Sequence, residues 1–258
     1  MILNIDGVQD ARIIRLDKSY LDELLTIQET VCKQLKRPEM YFPVTSVEML
    51  EFFESDALCF GVQFGARLAG FSGLLFMGDR EDNVGKDIGL SSDELPHVAY
   101  FKICLVLPQY RGMGLQKCLK IPLFEHMGVE MPSALKLPVE LETNAEQTSI
   151  TDRLPFRPLC STVSPENIAS LKSLMECGFW IAGLKPKYNG YLRYLIMRRP
   201  QIVTFDETNS VSVSCQDYAT QISLLDRGML GVQLLTEQGE GPKIKYVWPP
   251  NSDWSATR

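Results

Sequence analysis

Apolar and polar positions in this chain recur with a period of two in short runs and near 3.6 in longer ones, and the order of the runs predicts the architecture. Residues 11–16 alternate as a strand. Residues 20–36 carry Leu21, Leu24, Leu25, Ile27 and Val31 at helical spacing, with Ser19 to cap the helix and Pro38 to stop it. Residues 46–55 read as a second short helix. Residues 57–64 and 67–77 read as two strands of a hairpin joined at Gly65. A polar loop rich in Asp, Glu and Gly fills 78–96, and a long strand follows over 97–107. Leu115, Leu119, Leu123 and Met127 line one face of a helix expected over 112–127. A strand is expected at 138–143.

Residues 144–163 have no clear period and contain Pro155 and Pro158, so they read as a long connection of the kind that is usually functional or mobile. A helix over 164–177 has Ser164 at its cap, Pro165 in its first turn and Gly178 at its end. Residues 179–184 and 192–198 then close a hairpin. Beyond Pro200 the pattern becomes strand 211–215, helix 216–227 and strands 229–236 and 243–248, a small β-α-β-β extension. No internal repeat stands out in the sequence. The division expected is 1–200 as the main domain and 201–258 as the extension.

Composition narrows the class. At 45% hydrophobic and 22% charged residues, the 258-residue chain can bury a sizeable core. A net charge of −6 and a pI near 5.1 argue against nucleic-acid and membrane-surface partners. The amino terminus shows no signal peptide and no apolar run spans a membrane, so the location expected is the cytoplasm. Seven scattered cysteines without a Cys-x-x-Cys pair fit reduced thiols, and two histidines make a zinc site improbable, so no metal is expected.

The candidate chemistry starts where the long strand ends, at Leu105-Val106-Leu107-Pro108-Gln109-Tyr110-Arg111-Gly112-Met113-Gly114-Leu115. A strand, a proline, two glycines one residue apart and a helix start together form a cradle of backbone N–H groups for a diphosphate. No Gly-Lys-Ser/Thr follows, and Lys117 stands where a dinucleotide fingerprint needs its third glycine.

Gln109-x-x-Gly112-x-Gly114 resembles the Q/R-x-x-G-x-G/A loop of the GNAT superfamily of acyl-CoA-dependent N-acyltransferases. Pro165-Glu166-Asn167 with Gly178-Phe179 resembles the second conserved segment of that family. The resemblance covers about residues 10–199. It implies an α/β fold with a central mixed, mostly antiparallel sheet of about seven strands flanked by helices. It also implies acetyl-CoA as co-substrate and no metal. Leu105, Val106 and Leu107 would pair with the pantetheine arm, Gln109 to Leu115 would hold the diphosphate, and Asn167 would lie near the arm.

The activity implied is direct attack of a primary amine, on a small molecule or peptide, upon acetyl-CoA. The tyrosine that often protonates the leaving thiolate in the family is here Leu174, so that role does not carry over. Tyr188 is a candidate proton donor. Glu140 and Glu142, two apart on one expected strand, are candidate bases or cation binders; His97 and Tyr100 are weaker ones. The acidic 78–96 loop reads either as a rim for amine substrates or as a solvated loop. The alternative to an enzyme is a catalytically silent acyl-CoA sensor or scaffold, with 201–258 as a surface for a homodimer or another partner.

Overall fold

The computed structural model describes residues 2–5, 8–132, 157–237 and 239–250. Contacts divide the chain into two units. One comprises Met1–Pro38, Pro43–Phe76 and Phe101–Arg157; the other comprises Glu39–Phe42, Met77–Tyr100 and Pro158–Arg258.

The first unit holds β1 (Ile2–Ile5), β2 (Val8–Arg15), α1 (Leu21–Lys33), α2 (Ser46–Glu54), β3 (Ala57–Phe64), β4 (Arg67–Phe76) and most of β5 (Ala99–Val106), with the strands in the order β1-β2-β3-β4-β5. β1, β2, β3 and β4 are joined by antiparallel pairings. Thr45 and Glu48 form a reciprocal capping box that starts α2. β4 is buried along nearly its whole length, so it runs apolar on both faces and does not alternate.

The helix expected over 112–127 is two short ones, α3 (Leu115–Cys118) and α4 (Ile121–His126). Gly112 and Gly114 sit at φ +83° and +71°, outside helical space, which delays the start to Leu115, and Pro122 has no N–H to continue the ladder between the two.

The second unit contains β6 (Leu159–Val163), α5 (Ile168–Met175), β7 (Trp180–Lys187), β8 (Tyr191–Arg198), β9 (Val211–Ser214), α6 (Tyr218–Asp226), β10 (Leu230–Leu235) and β11 (Lys243–Val247). β6 lies where the sequence pattern reads as loop; its five residues follow Pro158 and are too few to show a period. It pairs antiparallel with β8. The expected strand at 138–143 falls outside the described residues.

The strand order here is β6-β8-β7-β10-β11-β9. That order is a repeat. β6-α5-β7-β8 and β9-α6-β10-β11 have the same connectivity, and they meet at β7 and β10 with their orders mirrored. Asn167 and Asp217 cap the two helices through side-chain oxygens that accept from Ser170 N and Thr220 N, each at 3.1 Å. Gly178 and Gly228, both at positive φ, follow their ends. At the join the buried Gln221 accepts from the hydroxyls of Tyr194 on β8 (2.8 Å) and Tyr246 on β11 (2.9 Å), one from each copy. Residues 201–258 therefore continue the sheet from β7. The total is eleven strands among the described residues, against about seven expected for the main domain plus three for the extension.

The 78–96 loop folds into two 3₁₀ turns around the buried Asn83, whose Nδ2 donates to Gly78 O and Leu95 O. Much of its acidity is paired within the second unit: Asp87 with Lys187 at 2.6 Å, Glu94 with Arg199, and Asp82 with Arg80.

Candidate functional site

In the first unit, the turn after β5 is held from both ends. Leu107 N donates to Ala69 O at 2.8 Å, which fixes the strand end. Pro108–Tyr110 forms one 3₁₀ turn, and the Tyr110 ring stacks on Phe64 at 5.0 Å. Leu115, Cys118 and Leu119 are buried with Val62, Ala69 and Val106, and Met113 packs against the same cluster. Apolar burial on one side thus presents the segment 109–114 along the other, where Gln109, Arg111, Gly112 and Gly114 are exposed.

Both glycines are required for conformation. A Cβ on Gly112 or Gly114 would meet nothing within 4 Å, so space does not select glycine there; the positive φ does. The N–H groups of residues 112–116 donate to no described residue, whereas Tyr110 N and Arg111 N close the 3₁₀ turn and Lys117 N and Cys118 N return to Gly114 O. A run of free N–H groups beside open space is the arrangement a diphosphate requires.

One residue of this site was missed in the sequence. Gly70 of β4 lies against the end of β5, and a Cβ there would stand 2.4 Å from Leu105 O and 2.9 Å from Val106 Cα. Both atoms are backbone, so the strand would have to move. Gly70→Ala is expected to lower stability by about 3 kcal/mol and to weaken ligand binding at the 109–115 turn, as read by urea unfolding and a titration with acetyl-CoA. Only a glycine inside a strand pattern signals this in sequence.

In the second unit, three hydroxyls converge. Tyr188 OH lies 2.6 Å from Tyr100 OH and 2.9 Å from Thr162 Oγ1, and Tyr100 OH lies 3.1 Å from Thr162 Oγ1. Burial and the neighbouring Tyr188 hold the Tyr100 hydroxyl well above the usual tyrosine range, so it stays protonated. Tyr188 opens the turn 188–190, in which Tyr188, Asn189 and Gly190 have φ of +46°, +65° and +94°. A left-handed tyrosine is strained, and such strain persists where the surroundings hold it. Here the Phe42 ring, stacked at 5.1 Å, and the two hydroxyl bonds do so. Sequence reading singles out Tyr188 and, more weakly, Tyr100. It misses Thr162, which sits on the unpredicted β6.

The other expected residues are placed as follows. Asn167, and not Ser164, caps α5; its Oδ1 is engaged with Ser170 N. Ser164 Oγ instead accepts from Glu166 N at 3.3 Å. Leu174 is a buried core residue, 5% exposed. Glu140 and Glu142 lie outside the described residues.

No family model matches the chain, and no curated protein does. Solved structures resemble it. An acetyltransferase of the GNAT family from Streptococcus pneumoniae is 16% identical with a TM-score of 0.48, over 74% of this chain and 99% of that one. The ribosomal-protein-S18-alanine N-acetyltransferase from Escherichia coli is 15% identical, TM-score 0.47, over 76% and 97%. A putative acetyltransferase from Salmonella typhimurium, solved with its cofactor acetyl-CoA, is 13% identical, TM-score 0.49, over 78% and 99%. The likeness is one of fold.

Proposed function

We propose that the protein is a GNAT-type N-acetyltransferase that moves an acetyl group from acetyl-CoA to a primary amine of a small molecule or peptide. The observation that carries this reading is the 109–115 turn, with two glycines at positive φ and a run of backbone N–H groups that donate to no described residue. In this reading those groups take the diphosphate, Arg111 and Lys117 add positive charge, and the end of β5 (Leu105, Val106) with Leu107 pairs with the pantetheine arm. Asn167 near that arm is also part of the proposal.

Transfer forms an N–C bond, breaks the C–S bond, takes one proton from the amine and gives one to the thiolate. Tyr188 is the proposed proton donor, with Tyr100 and Thr162 aligning its hydroxyl. Tyr188→Phe is expected to lower kcat by about 10- to 100-fold with the Kd for acetyl-CoA unchanged, as measured by thiol release and by titration. An unchanged kcat would remove Tyr188 from the mechanism. Glu140 and Glu142 remain proposed bases or binders of a cationic acceptor. Residues 1–200 are the proposed acyl-CoA domain and 201–258 its extension. A homodimer through the extension would be read from the mass of the full chain in solution.

The experiment that tests the whole reading is thiol release from acetyl-CoA across a panel of amines, beside a thermal-shift titration with acetyl-CoA alone. A shift without turnover would favour the second reading, an acyl-CoA-binding sensor or scaffold. The buried Leu174 in place of a tyrosine favours that one. No shift at millimolar acetyl-CoA would dispose of both. No helix among the described residues is long and apolar enough to cross a membrane, and all seven cysteines are free thiols. A cytoplasmic location is part of the proposal.

A further inference from the structure

Arg193 has no part in the acetyl-transfer reading. It stands on β8 and is 3% exposed. Its Nη1 donates to Leu192 O at 3.0 Å, and its buried Nη2 meets no acceptor among the described residues. The guanidinium lies 5.6 Å from the Tyr188 ring centroid and 5.7 Å from that of Tyr191. The ring faces attract its charge without neutralising it. No carboxylate forms an ion pair with it among the described residues. Burial pushes its pKa down, and the neighbouring tyrosines and Glu39 offset this only in part.

Arg193 lines a cleft of about 150 Å³ together with Glu39, Ser164, Glu166, Tyr191 and Tyr218. Glu166 already accepts from Tyr218 OH at 3.0 Å, whereas Glu39 is half-buried and forms no ion pair among the described residues. The cleft therefore carries a buried guanidinium with an open donor and a carboxylate with open acceptors. A simple anion would meet repulsion from Glu39 and Glu166, and a simple amine would meet repulsion from Arg193. A ligand carrying both signs satisfies both sides, and repulsion excludes the rest. The volume equals about five waters at roughly 30 Å³ each, which suits a head group and a few further atoms.

We propose that this cleft binds a zwitterionic small molecule, an amine that also bears a carboxylate, with the carboxylate on Arg193 and the ammonium at Glu39. The planar guanidinium fork matches a carboxylate, and the buried setting strengthens the contact. The inference rests on the charges of the cleft and goes beyond the acetyl-transfer reading; joined to that reading, it names the acceptor class as amino-acid-like compounds.

The test is calorimetric titration of the full chain, without acetyl-CoA, with the free L-amino acids, their decarboxylated amines and their N-acetyl derivatives. At least one amino acid should bind about tenfold or more tighter than both its amine and its N-acetyl derivative. Arg193→Lys, which keeps the charge but loses the fork, should weaken that binding by about tenfold. Glu39→Gln, at a half-buried position, should reduce the preference over the N-acetyl derivative, by weakening the amino acid and by relieving the repulsion that the derivative's carboxylate meets. Equal binding of an amino acid and its amine, no binding at millimolar concentration, or an Arg193→Lys variant that binds like the parent overturns the proposal. None of these outcomes depends on acetyl-CoA, so the acetyl-transfer reading stands or falls separately.

Discussion

Gly112→Asp should abolish acetyl-CoA binding while leaving the fold intact, and Gly112→Asn should retain much of it. A Cβ at Gly112 meets no protein atom within 4 Å, so neither side chain is blocked by the protein. The backbone there has φ +83°, and Asn and Asp are the non-glycine residues that tolerate the left-handed region best, at a cost of about 1 kcal/mol. What separates the two variants is charge. A carboxylate set among N–H groups offered to a diphosphate occupies their donors and repels the ligand. Two like charges about 4 Å apart, at an effective dielectric of about 20, repel by about 4 kcal/mol, close to a thousandfold in Kd. Thermal shift with acetyl-CoA and the unfolding midpoint of each apo variant check both halves. Equal binding by the Asp and Asn variants would show that the turn does not hold a phosphate.

Gln221→Leu should destabilise the protein by about 3–5 kcal/mol in urea unfolding. It leaves the Tyr194 and Tyr246 hydroxyls without an acceptor, at about 1–3 kcal/mol each, and it removes the donor to Ser214 O. Burial holds both tyrosines above their usual range, so both stay protonated donors across any working pH. Adding Tyr194→Phe and Tyr246→Phe to Gln221→Leu should recover stability, because two apolar edges then face an apolar side chain. Additive losses, or a cost under about 1 kcal/mol, would mean that the two β-α-β-β copies are not joined through this residue.

Much of the candidate site was legible because its signals are local. The turn after β5 announces itself through a proline and two glycines whose spacing only a turn requires, and the first unit delivers those glycines at positive φ. The hairpin of β7 and β8 and the end of α5 at Gly178 were legible for the same reason. The helix after the turn was misjudged as continuous because an apolar stripe persists past Pro122, and stripe and proline point opposite ways. β6 was missed because five residues after a proline carry no period, and Thr162 was missed with it. The repeat was invisible because its copies share helix caps and end glycines, and few of their other residues match.

The sequence by itself determined the order of most of the strands and helices, that the core is ample and that a glycine turn follows a central strand. Those properties depend on residues within a few positions of one another. Only the tertiary structure decided that residues 201–258 extend the sheet from β7, that Tyr100, Thr162 and Tyr188 share one hydroxyl cluster, and that the buried Arg193 keeps a donor without an acceptor among the described residues. Each depends on which strands lie side by side. That pairing is chosen by burial and hydrogen bonding summed over the whole unit, and no local pattern records the sum.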